Sequence, residues 1–144
     1  MPMQPIFETV SLNEKKTVLF DKKKVECRTD LNTESVAKIL NVSATSSIAE
    51  ASSSNGKINY GGRVVFYICY ENVDGEIKKC ECGTEFLGNI PYEQADDICK
   101  VKCVSEVIKT EADASGINLL VSANIETKLD LYNCVNLSFL TFLN

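Results

Sequence analysis

The chain has 144 residues, 44% hydrophobic and 24% charged, which gives it the length of one domain and a composition unlike disordered or membrane-embedded proteins. With 15 Lys and Arg against 20 Asp and Glu its net charge is -5, so the field around it repels phosphate backbones and argues against nucleic-acid binding. Histidine is absent, which excludes every Ser-His, Cys-His and His-metal arrangement.

The first sixteen residues carry only isolated apolar positions, Ile6, Phe7, Val10 and Leu12, too few for a secretory signal. Synthesis in the cytoplasm is expected. No apolar run approaches a bilayer span, so no membrane insertion is expected either. Ile6 to Leu12 reads as a terminal strand. Lys15, Lys16, Lys22, Lys23 and Lys24 then flank Val18-Leu19-Phe20, the pattern of a lysine-guarded sheet edge, with a docking surface for an acidic partner as the alternative. Asn32 or Thr33 as cap, Glu34 in the first turn, and Val36, Ile39 and Leu40 at helical spacing predict one short helix.

From there the period is two. Val42 to Ile48 predicts a strand, Ala51 to Gly56 a loop, and Ile58 to Tyr70 a long strand with one strongly apolar face. Asn72-Val73-Asp74-Gly75 predicts a hairpin turn into a return strand from Glu76 to Phe86, with a bulge at Gly83. A break is expected over Gly88 to Gln94 around Pro91. Cys99, Val101, Cys103, Ser105 and Val107 share the face of the next strand, Thr110 to Gly116 reads as a polar turn, and Leu119 to Leu131 as another strand. Val135 to Leu143 is apolar on both faces and must be covered, by the core or by a neighbour. No repeat at a fixed period stands out. The sum is an all-β, mostly antiparallel β-sandwich of roughly seven to ten strands with one short helix, formed by residues 1–144 as a single domain.

Seven cysteines are present, an odd number, so at least one cannot pair within a monomer. In a reducing cytoplasm their default role is that of small buried hydrophobes. Late oxidation is the second reading, and Cys27, Cys69, Cys80, Cys82 and Cys134 are the candidate redox or cross-linking thiols. A zinc site from Cys80, Cys82, Cys99 and Cys103 has the wrong spacing for tight knuckles, and Glu93 with Asp96-Asp97 lacks the ligand alternation of a calcium loop. Lys78-Lys79-Cys80 supplies no base for a nucleophile, and no spacing singles out two of Glu81, Glu85, Asp96, Asp97 and Glu106 as an acid-base pair. No catalytic residue, metal or cofactor is therefore expected.

The stretch KINYGGRVVFYICYE, from Lys57 to Glu71, resembles the strand at the centre of the SPOCS domain of clostridial spore-coat morphogenesis proteins. The similarity extends from about Val18 to Tyr132. It includes the Val36, Ile39, Leu40 segment, Phe86 with Ile90, Glu106 within Val101 to Val107, and the closing pair Leu119 to Leu131. The chain departs from that family in lacking Pro-Asp near Ser35 and in its cysteine load. The resemblance implies a non-enzymatic, β-rich interaction module that helps build the protective layers of an endospore. Its partners would be proteins of that envelope or further copies of itself, and its place the mother cell and then the spore coat. The peptidoglycan-docking LysM module of many relatives is not recognisable here. Ile6, Val10, Leu12, Phe139, Leu140, Phe142 and Leu143 are the candidate partner-binding residues, because terminal strands can add to a neighbour's sheet. The rival reading is a carbohydrate-binding sandwich stacking sugars on Tyr60, Tyr67, Tyr70 or Tyr92.

Overall fold

The computed structural model describes residues 16–30 and 35–133. They form six strands, β1 (Lys16–Asp30), β2 (Val36–Ser54), β3 (Lys57–Asn72), β4 (Ile77–Pro91), β5 (Ile98–Ser115) and β6 (Asn118–Asn133), with a single 3-10 turn at Ala95–Asp97. Two antiparallel three-stranded sheets result, in the orders β2-β3-β4 and β1-β6-β5. The fold is all-β. Six strands lie among the described residues, and the expected terminal strands Ile6 to Leu12 and Val135 to Leu143 fall outside them.

The central strands fill the space between the sheets. Ile58, Tyr60, Val64, Phe66, Ile68 and Tyr70 of β3 meet Leu119, Val121, Ala123, Ile125, Leu129 and Leu131 of β6, all nearly inaccessible to water. Each such side chain contributes about 1.5 to 3 kcal/mol on burial, so these two faces dominate the stability of the fold. The β3 face carries the bulky Tyr60 and Phe66, and the β6 face includes the smaller Ala123 and Thr127.

The described part of the predicted helix, Val36 to Leu40, is strand, its caps Asn32, Thr33 and Glu34 lying outside the described residues, and its spacing has a physical cause. β2 shifts register against β3 between Val36 and Lys38 and between Ile39 and Asn41, so the inner face is reached at Val36, Ile39 and Val42, three residues apart. Two bulges mimic a helical period. A third lies between Ile48 and Glu50, and β5 carries two of its own, between Ile98 and Lys100 and between Val107 and Lys109. The bulge expected at Gly83 is not there: β4 pairs with β3 in unbroken register, and the Arg63 guanidinium lies over the glycine instead, 2.6 Å from where a Cβ would stand.

Three further boundaries differ. β2 continues through Ala51 to Ser54, and the turn is only Asn55-Gly56, both at positive φ (52° and 73°), as a two-residue hairpin of this hand requires. β5 likewise runs to Ser115 and turns at Gly116, φ 61°. β4 runs past Gly88 to Pro91, which pairs with Lys57 as the last residue of an edge strand, where a missing N–H is tolerated. The crossover to the other sheet follows, fastened by Tyr92 N–H to the Gly56 carbonyl (2.8 Å) and Asn55 N–H to Asp96 Oδ1 (3.2 Å).

The two sheets are copies of one plan. β3 and β6 have the same length and nearly the same alternation of burial, Lys57 and Asn118 opening each 61 residues apart, and both follow a bulged strand through a two-residue turn. The bulges Ile39/Asn41 and Ile48/Glu50 correspond to Ile98/Lys100 and Val107/Lys109, again nine residues apart but offset by 59. β1 occupies beside β6 the place that β4 occupies beside β3. This repeat escapes a fixed-period search because its offset changes along the strand and only apolarity is shared.

Gly88 tests the packing. A Cβ there would lie 2.0 Å from Cε1 of the buried Tyr60 ring, so Gly88→Ala is expected to cost about 2 to 3 kcal/mol in urea unfolding. Gly75→Ala, at φ 82° with open space around it, should cost only about 1 kcal/mol. Equal losses would refute the close ring contact.

Candidate interaction surfaces

With the inner faces of β3 and β6 buried, the accessible side chains of the described residues lie on the outer faces, the edges and the corners. On the outer face of β2-β3-β4, Tyr67 is 43% exposed at the centre of an open depression of about 460 Å³, flanked by Asn41 and Ser43 on β2 and by Lys79 and Glu81 on β4. The register explains the grouping: Ser43, Tyr67 and Glu81 form one cross-strand row, and Asn41, Cys69 and Lys79 the next. An aromatic plane ringed by amide, hydroxyl and charged groups can hold a flat polar ligand or a peptide side chain.

The outer face of β1-β6-β5 combines apolar and charged rows. Phe20 and Val104 stand on either side of Lys128, 61% and 63% exposed, with Val18 and Ile108 also exposed. Around them Lys22 pairs with Glu126 (3.8 Å), Lys16 with Asp130 (3.7 Å), and the ammonium groups of Lys16 and Lys100 sit 6.0 and 5.8 Å from the Tyr132 ring centroid. These exposed pairs contribute only about 0.2 to 1 kcal/mol each. β1 is an edge strand, and its lysines line that edge.

Polar groups also link the two sheets. Tyr60 Oη donates to Asp21 Oδ2 on β1 and also meets the Thr127 side chain on β6, joining the two sheets through the interior. Burial, then the Asp21 carboxylate, hold the phenol well above its ordinary range. The β2/β5 corner is closed by hydroxyls: Ser46 and Ser105 Oγ atoms are 2.8 Å apart, and Thr110 Oγ1 donates to the Val42 carbonyl (3.3 Å).

The thiols separate by position. Cys27, Cys80, Cys82 and Cys103 point inward from half-buried sites, Cys69 lies in the Tyr67 depression, and all five are free. Burial pushes the Cys82 thiol up to about 12 and Cys103 up to about 11, and raises Cys80 as well. Cys99, expected on the inner face with Cys103, sits at the Ile98/Lys100 bulge, which turns it outward, and it is disulfide-bonded. Cys134 lies outside the described residues, as do Ile6, Val10, Leu12, Phe139, Leu140, Phe142 and Leu143. Cys80 and Cys82 on β4 are not brought to Cys99 and Cys103 on β5, because those strands edge different sheets at different corners. Among the described residues no three His, Cys, Asp or Glu side chains converge as metal ligands, and no helix is long and apolar enough to cross a membrane.

Of the candidate carboxylates, Glu85 stands opposite Arg63 and Asp96 accepts from Asn55, while Glu106 is the direct cross-strand partner of Glu126 on the outer face. Of the tyrosines, Tyr60 and Tyr70 are buried, which removes them as stacking platforms and leaves Tyr67 as the most open one. Tyr67 and the thiols Cys27, Cys80 and Cys82 were legible as candidates, but their grouping into a depression and a corner was not, since it arises from register and sheet stacking. Asn55-Gly56 was a readable hairpin signal that the surrounding serines concealed. The chain matches no protein-family model, no curated protein and no solved structure.

The raised phenol and thiols predict alkaline weakening. A group whose folded pKa is raised loses its contribution once the unfolded chain ionises, so stability should be flat below about pH 9 and fall steadily above it. Urea midpoints measured from pH 7 to 11 check this, and Tyr60→Phe should flatten the fall while lowering the neutral-pH midpoint.

Proposed function

We propose that this chain is a non-enzymatic structural and protein-interaction module of endospore coat or envelope assembly, recognising partner proteins or further copies of itself through a sheet edge or an exposed apolar patch. The observation that carries the reading is the placement of exposed apolar side chains. Phe20 and Val104 rise from the two edge strands of one sheet, both on its outer face. The resemblance of Lys57 to Glu71 to the SPOCS strand supplies the biological setting. In that setting the module is made in the mother cell and comes to lie in the coat, and its function is contact with other proteins.

Two measurements test this. A fluorescent fusion in a sporulating clostridial host should gather around the forespore, and an even distribution through the mother cell would overturn the assignment. In sedimentation of the purified chain, Phe20→Glu with Val104→Glu should weaken self-association or partner binding at least about tenfold while thermal unfolding stays cooperative. Unchanged association would mean the patch is not the contact.

One observation favours a second reading, a carbohydrate-binding module. Tyr67 offers its ring on an open sheet face among Asn41, Ser43, Lys79 and Glu81, a donor and acceptor set suited to sugar hydroxyls. A glycan array should then give signals that Tyr67→Ala abolishes. An array without signals would remove this reading.

A further inference from the structure

β1 and β4 edge opposite sheets and meet at one corner without a backbone ladder between them. Three free thiols gather there. Cys27 points inward from β1, and Cys80 and Cys82 point inward from β4, opposite Ile68 and Phe66. Cys27 Sγ donates to the carbonyl of Gly83, the residue after Cys82, at 3.7 Å, and the Cys27 and Cys82 side chains lie within hydrogen-bonding reach of each other. Cys80 is less suited to bond Cys82. Residues two apart on one extended strand hold their Cα atoms about 6.6 Å apart with parallel side chains, near the upper limit for a disulfide.

We propose that Cys27 and Cys82 are a cross-linking pair, forming a reversible disulfide that ties the two sheets together when the chain meets a low-molecular-weight disulfide oxidant. One cysteine loses its proton and attacks a sulfur of the oxidant, forming a mixed disulfide and expelling one small thiolate. The second cysteine, also deprotonated, attacks the protein sulfur and expels the other. Two electrons pass from the protein sulfurs to the oxidant, and the two protons end on the released thiols. Burial keeps Cys82 protonated at neutral pH, so the pair rests as dithiol and cross-links faster as pH rises. The bond closes a loop of about 55 residues and joins edges that no ladder joins, so it should raise the melting temperature by about 10 °C. The inference goes beyond the proposed function and holds whatever the partner.

The test uses the full chain treated with oxidised glutathione, then alkylated in denaturant and digested without reduction. A peptide pair linked through Cys27 and Cys82, with a melting temperature about 10 °C above that of the chain before oxidation, is the expected result. Cys27→Ala and Cys82→Ala should each remove both the linked pair and the rise. Links through Cys80 instead, separate glutathione adducts on Cys27 and Cys82, or no reaction would each overturn the proposal.

Discussion

The structure depends on the fit between two central strands. β3 and β6 each present an almost continuous apolar face, and neither can be dry unless the other covers it. The two faces differ: β3 brings the bulky Tyr60 and Phe66, and β6 brings the smaller Ala123 and Thr127, with Thr127 at the Tyr60 hydroxyl. Glycine completes it, since the Tyr60 ring lies over Gly88 and the Phe86 ring over Gly62, positions where any side chain would collide. The remaining strands are held by ladders to these two.

That arrangement determines where function can reside. Among the described residues the inner faces of β3 and β6 are buried, and the accessible side chains lie on outer faces, edges and corners. The corners differ in kind. Ser46, Ser105 and Thr110 close the β2/β5 side with hydroxyl hydrogen bonds, while the β1/β4 side is lined with thiols. The Tyr60 to Asp21 contact adds a directional constraint to a core otherwise held by undirected packing, fixing how β3 lies over β1. A buried hydroxyl bonded to a half-buried carboxylate favours one alignment of the sheets, because a slip would break that bond.

Legibility in the sequence followed the regularity of the strands. β3, β6 and the hairpin into β4 were readable because period two runs through them without interruption. β2 was misread because its bulges convert a spacing of two into a spacing of three at Val36, Ile39 and Val42, which is what a helix would give. The same device moved Cys99 off the inner face of β5. Polar residues at Ala51 to Ser54 and Thr110 to Ser115 looked like loops because edge strands carry polar side chains outward and small ones inward. The internal repeat stayed hidden for a related reason: Tyr60 corresponds to Val121 and Phe66 to Thr127, so the two halves share burial without sharing residue identity.

By itself, then, the sequence determined an all-β chain with two long apolar-faced strands, a net charge of -5 and no histidine, since all of these follow from composition and local alternation. The tertiary structure alone decided which strands are neighbours, that Tyr60 reaches Asp21, that Tyr67 faces solvent while Tyr70 does not, and that Cys27 meets Cys82. Those relations join residues dozens of positions apart through register and sheet stacking, and register is set by the whole pattern of pairing and bulges, which no single segment encodes.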